Sequence, residues 1–196
     1  MPRPRLGRRT KVALKSIQRR LEAYYGLECT PDVTAFAAAA PTGEREQLLV
    51  RESPDTIELA LIVPADLPRA GANDTWLQLV EGVSHFVYVA ERVRTELPTT
   101  QLELELQAEI DKFVLLGLEP GKDHQSVRRL HEHLYEHGHF LDPRGSEAGE
   151  RYRLANDLAA RLSARLLGRH AHDARALLQR FYRAGQTDKI ALATAA

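Results

Sequence analysis

Residues 73–97 carry apolar side chains around nearly the whole circumference of a helix, and this pattern constrains the fold more than any other in the chain. At about 100° per residue, the apolar positions from Trp76 to Val93 leave only one narrow polar strip. A helix that is apolar nearly all round must be covered by other elements, so we expect it to lie at the centre of the fold. Its polar strip consists of Gln78, Glu81, His85 and Arg92.

Helical periodicity predicts several more helices on either side of this segment. The first runs from about Arg9 to Tyr25, because its apolar residues recur every three or four positions and Gly26 follows as a stop. Thr100 and Glu103 have the spacing of a capping box, which predicts the start of another helix that ends near residue 118. Further helices are expected at about 123–137, 146–167 and 172–184.

The clearest strand signal lies at about 47–64. Gln47–Glu52 and Thr56–Pro64 flank the turn sequence Ser53-Pro54-Asp55, and the second run alternates in the manner of a half-buried strand. A lone hairpin is only marginally stable, so it must pack on helices. The chain is therefore predicted to be α+β, mostly α: a β-hairpin packed on a bundle of about five to six helices. The segment Thr30–Ala40 fits either a short helix or a loop.

A chain of 196 residues normally forms one domain. We expect a single globular domain over residues 9–189, made of the hairpin (about 47–64), central helices (about 73–118) and C-terminal helices (about 123–184). Residues 1–8 are predicted to form a flexible basic arm, and residues 190–196 a short tail.

Charge is distributed unevenly along the chain, although 27 bases balance 27 acids. The first twenty residues hold eight bases and no acid, whereas residues 41–120 hold fifteen acids and six bases. Such segregation favours docking on an oppositely charged surface: a protein partner, a second copy of the chain, or the phosphates of nucleic acid. No aromatic residue is interleaved with the bases before Tyr24, so the arm has no stacking platform of its own. The candidate binding residues are Arg3, Arg5, Arg8, Arg9 and Lys11.

Cys29 is the only cysteine, which excludes an internal disulfide and a cysteine metal site and predicts a small core residue in a reducing compartment. No apolar run approaches the roughly 20 residues that a membrane-spanning helix needs. The sequence therefore predicts a cytoplasmic protein without a membrane partner.

Five histidines fall between residues 124 and 139, and His133 and His137 match the HxxEH pattern of inverted zinc proteases. Histidines four apart share one helix face, so these two are candidate zinc ligands. Glu136, however, lies on the side of the helix opposite its apolar stripe, and no further ligand can be assigned downstream. The pattern alone therefore does not predict a protease.

Carboxylates offer a second, weaker set of metal ligands. Glu81 and His85 lie one helical turn apart, and Glu109 projects between apolar residues of the next helix. Inward carboxylates and histidines in a helical bundle are typical of dimetal proteins that hold iron or manganese. The spacing from Glu81 to His85 is one residue longer than the Glu-x-x-His pair of that class.

No complete catalytic constellation is present. The chain lacks a glycine-rich phosphate loop, a Gly-x-Ser-x-Gly elbow and a Cys-x-x-Cys pair. The sequence favours a non-enzymatic intracellular interaction or regulatory protein that acts through protein–protein contacts and needs no cofactor. The alternatives are a nucleic-acid-binding protein that uses the basic arm and a metal-dependent helical-bundle enzyme that uses the histidines and carboxylates.

Overall fold

The computed structural model describes residues 6–41, 45–53, 56–64, 73–118, 121–136 and 142–195. About two-thirds of these residues are helical, so the predicted class, α+β and mostly α, is confirmed. The described residues form eight helices and a sheet of three strands, where the sequence predicted five to six helices and a hairpin. The chain divides into two compact units: an N-terminal unit (Met1–Ala23 and Leu27–Pro98) and a C-terminal unit (Tyr24–Gly26 and Thr99–Ala196).

The N-terminal unit combines the sheet with two long helices and one short helix. In the sheet, the strand order is β1-β3-β2, with β1 parallel and β2 antiparallel to β3. Helix α3 packs close to β3 because Gly82 has no side chain; a Cβ there would lie only 3.0 Å from Leu61 Cδ1. The elements are α1 (Arg8–Tyr25), α2 (Val33–Phe36), β1 (Ala37–Ala39), β2 (Gln47–Ser53), β3 (Thr56–Val63) and α3 (Asn73–Arg94).

The third strand corrects the predicted hairpin. Strands β2 and β3 coincide with the two predicted runs, but β3 also pairs with β1, in the register Ala37↔Leu61 to Ala39↔Val63. Alanine has little preference for strands, so nothing local marks β1. The strand exists because β3 offers it a free edge.

The outer half of the β2–β3 hairpin projects beyond the core. Cross-strand partners share one face of a sheet, so Val50 and Leu59 lie on the same face as buried Leu61. Val50 and Ile57 on this face are nevertheless 44% and 41% exposed. The free edge of β2 pairs with no other strand among the described residues.

The C-terminal unit is all helical, and α4 packs against α5, α6 and α8. Its core includes the fully buried side chains of Ile110, Phe113, Leu162 and Phe181. The predicted capping box is confirmed, because both of its hydrogen bonds are present at the start of α4. The helices are α4 (Gln101–Gly117), α5 (His124–Tyr135), α6 (Glu147–Leu166), α7 (Ala171–Arg183) and α8 (Gln186–Thr194).

Helix α8 includes most of the segment that was predicted as a tail. It follows Gly185 without a side-chain cap, and its buried positions are Lys189 and Ala193. Lys189 and Ala193 do not form a helical repeat of apolar residues, so the local sequence pattern did not predict α8. None of the described helices is long and apolar enough to span a membrane.

Candidate functional site

The solvent face of α1 is strongly basic. Leu14, Ile17 and Leu21 are buried, so the opposite side of this helix meets solvent. Residues three or four apart share a helix face, which aligns four exposed bases over about 16 Å at roughly 1.5 Å per residue. We call this the basic face of α1; it consists of Arg8, Lys11, Lys15 and Arg19.

Most of this charge is not neutralised by the protein itself. Lys15 Nζ lies 2.7 Å from Asp32 Oδ2, and this hydrogen bond, with those from Thr34, lowers the pKa of Asp32 to about 2. Within the described residues, Arg8, Lys11 and Arg19 have no ion pair or side-chain hydrogen bond. Three cations of the basic face are therefore available to an anionic ligand.

The position of these bases in the helix is itself unfavourable for folding. The first turn of α1 contains Arg8 and Arg9, with Lys11 directly after, and no acidic residue. The amino end of a helix carries partial positive charge, which repels cations and attracts anions. The helix and its side chains thus produce positive potential at the same place.

A groove of about 530 Å³ adjoins the basic face, between the first turns of α1 and α3. Its apolar surface includes Val12, which is 64% exposed, and Trp76, which is half-buried. No aromatic residue precedes Tyr24 in the N-terminal sequence, but the fold brings Trp76 of α3 to the N-terminal bases. The groove is lined by Arg8, Arg9, Val12, Ala13, Ser16 and Trp76.

The structure describes only part of the predicted basic arm. Arg3 and Arg5 lie outside the described residues, whereas Leu6 is buried and α1 already begins at Arg8. The predicted binding residues Arg8, Arg9 and Lys11 therefore belong to a helix.

The structure describes only one of the two predicted zinc ligands. His133 is exposed on α5, and His137 lies outside the described residues. His131 has a structural role: its Nε2 lies 3.0 Å from the Ala160 carbonyl oxygen, and its ring packs edge-on against Tyr135. Among the described residues, no histidine of α5 lies close enough to two other His, Cys, Asp or Glu side chains to share a metal ion with them. The zinc site stays a prediction.

The weaker candidates have separate environments. Glu81 and His85 are half-buried on α3, with a carboxylate oxygen and a ring nitrogen within 4.8 Å of each other. Glu109 of α4 instead accepts a hydrogen bond from Lys112 Nζ at 2.7 Å, which neutralises its charge. Iron or manganese binding at these residues stays a prediction.

A buried polar network in the C-terminal unit was missed by sequence reasoning. Tyr25 donates a 2.5 Å hydrogen bond to Asp111 Oδ1, and Gln107 Nε2 donates to the same oxygen at 2.9 Å. Lys189 Nζ donates to Gln107 Oε1 at 2.6 Å and lies 4.0 Å from the centroid of the Phe181 ring. Burial, together with the Asp111 charge, raises the pKa of Tyr25 well above 10.0, so this hydroxyl remains a donor.

The only sequence signal for this network was the pair of polar residues Gln107 and Asp111, four apart on a helix expected to be covered on two sides. Its partners Tyr25 and Lys189 come from distant parts of the chain. Because all four side chains are buried, the network is a structural polar core.

No family model matches the chain, and comparison with curated proteins and with solved structures finds no similar protein.

Proposed function

We propose that this protein binds nucleic acid by its phosphate backbone, through the basic face of α1. The observation that carries the proposal is the straight row of exposed bases from Arg8 to Arg19, most of them without an acidic partner. Phosphates of one strand follow each other every 3.4 Å or so, so a face of about 16 Å spans roughly five of them.

The acidic charge elsewhere confines the contact to this face. Residues 41–120 carry a net charge of −9, and the whole chain is neutral. Nucleic acid is therefore repelled by this acidic stretch and attracted by α1. With about three phosphate contacts, the affinity is modest and falls with added salt.

The alternative ligand is an acidic protein surface, and the sequence alone favoured protein–protein contacts. An acidic protein would bind the same cations of the basic face. Two features favour nucleic acid: the linear array of bases matches a linear array of phosphates, and Trp76 adds an aromatic surface beside them.

The test compares two triple variants that lose the same charge. Arg8→Gln/Lys11→Gln/Arg19→Gln removes most of the basic face. The matched control, Arg128→Gln/Arg161→Gln/Arg180→Gln, removes three exposed arginines of the C-terminal unit that likewise have no ion pair among the described residues.

Binding is measured by the fluorescence anisotropy of a short labelled oligothymidylate over a series of salt concentrations. We expect the first variant to bind about tenfold more weakly or worse, and its logarithmic salt slope to fall by about 2. The control should bind like the wild type. The proposal fails if the wild type does not bind at low salt, or if both variants lose affinity equally. Circular dichroism verifies that both variants remain folded.

A further inference from the structure

We infer that the groove between α1 and Trp76 receives one unstacked base of a single strand, an inference that rests on the proposed function. Three features meet there: an aromatic side chain, an apolar surface, and two arginines beside the amino end of a helix. Together they match the two halves of a nucleotide, a flat base and an anionic phosphate.

The apolar part of the groove suits a base. Bases stack on aromatic side chains whatever their sequence, because every base has a π-face. Trp76 is only half-buried, and Val12 and Ala13 of α1 extend the apolar surface beside it. The volume of about 530 Å³ lies within the range of roughly 300–1,000 Å³ typical of small-molecule sites.

The charged part of the groove suits the adjoining phosphate. Arg8 belongs both to the groove and to the basic face, so a strand that follows the face passes the mouth of the groove. Arg9 adds a second cation, and in the described residues it has no ion pair. A base can thus enter the groove while its neighbours stay on the face.

This arrangement predicts a preference for single strands. In a duplex each base is paired and stacked, and extruding one costs a few kcal/mol. In a single strand the base is free to leave the stack. The phosphates of a duplex can still contact the basic face, so the preference comes from the groove alone.

The chain contains one tryptophan, so fluorescence excited at wavelengths that tyrosine does not absorb reports on Trp76 alone. The wild type is titrated with four probes: oligothymidylate, an abasic strand of the same length and charge, a blunt duplex, and a polyglutamate peptide. Anisotropy of labelled probes measures binding independently of the groove. We expect oligothymidylate to quench Trp76 and to bind about 5- to 100-fold more tightly than the abasic strand, which should not quench. The duplex should bind with little quenching.

The outcomes separate this inference from the proposed function. If the abasic strand binds and quenches like oligothymidylate, the base does not occupy the groove and the inference fails while backbone binding stands. If no nucleic acid binds, the proposed function fails. If polyglutamate binds more tightly than either strand, the face recognises acidic protein and both statements are overturned.

Two variants of Trp76 provide an independent test. Trp76→Leu keeps an apolar side chain but removes the ring, so its affinity for oligothymidylate should fall to that for the abasic strand. Trp76→Phe keeps a stacking ring and should retain most of the affinity. Neither change should alter binding of the abasic strand. Equal weakening with both strands would show that Trp76 supports the fold of α1 instead of the base, and would overturn the inference.

Discussion

Replacing Lys189 by methionine tests whether the buried polar network holds the C-terminal unit together. The side chain of Lys189 is fully buried, and its Nζ has Gln107 Oε1 at 2.6 Å and the Phe181 ring at 4.0 Å. Methionine fills a similar volume but leaves Gln107 Oε1 without this donor and removes the cation from the region of Asp111. Removing one partner of a buried charged network costs about 3–5 kcal/mol, so we expect Lys189→Met to lower the free energy of unfolding by about 3 kcal/mol.

The assay is denaturant unfolding followed by circular dichroism, with Lys11→Met as the matched control because Lys11 is exposed. The control should change the free energy of unfolding by less than about 0.5 kcal/mol. Adding Gln107→Met to Lys189→Met should cost less than the sum of the single changes, with a coupling of about 1–2 kcal/mol. A loss below about 1 kcal/mol for Lys189→Met, or additivity within about 0.5 kcal/mol, would refute the reasoning.

Three further predictions follow from the helices. Arg8→Glu should weaken oligothymidylate binding yet raise the free energy of unfolding by up to about 1 kcal/mol, because an acid suits the amino end of α1; a lowered melting temperature would contradict this. The folded-state pKa of Tyr25 is raised, so the stabilisation from its hydroxyl is complete below pH 10.0 and is lost as pH rises above that value. In denaturant titrations at alkaline pH, Tyr25→Phe should reduce the loss of unfolding free energy by up to about 1.4 kcal/mol per pH unit. An unchanged dependence of the unfolding free energy on pH would count against this prediction. His133 is exposed, so His133→Ala should leave the metal content of protein purified without a histidine tag unchanged, whereas loss of stoichiometric zinc would support the predicted zinc site.

The helices could be located from the sequence because their signals are local. The start of α4 follows from a capping box: Thr100 N–H donates to Glu103 Oε2 at 2.8 Å, and Glu103 N–H donates to the Thr100 hydroxyl oxygen at 3.2 Å. Such bonds join residues three apart, so residue types alone predict them.

The elements that were missed depend on distant partners. Strand β1 consists of alanines and is defined only by the edge of β3, and α8 is defined by packing around Lys189 and Ala193. Cys29, expected in the core, is exposed with φ of +66°, because the chain turns at that point. Local patterns do not contain this information.

The same limit applies to the candidate site. The bases of α1 were evident as a charge run, but Trp76 is separated from them by the whole sheet in sequence. Only tertiary packing brings the indole to Arg8 and Arg9. The sequence therefore predicted the electrostatic half of the site and not the aromatic half.

The projecting hairpin has a consequence for self-assembly. An open strand edge with exposed valine and isoleucine is a template on which further copies can add. When two copies of β2 pair antiparallel about a twofold axis, the residue at the centre faces the same residue of the other copy. Pairing centred on Arg51 or on Glu52 therefore places two like charges opposite each other. Pairing centred on Leu49 places Glu46 of one copy opposite Glu52 of the other. Pairing centred on Val50 places leucines opposite the charged side chains of Arg51 and Glu52. The alternation of charge along this edge therefore works against fibrils and edge-to-edge dimers, while the apolar face of the hairpin stays exposed.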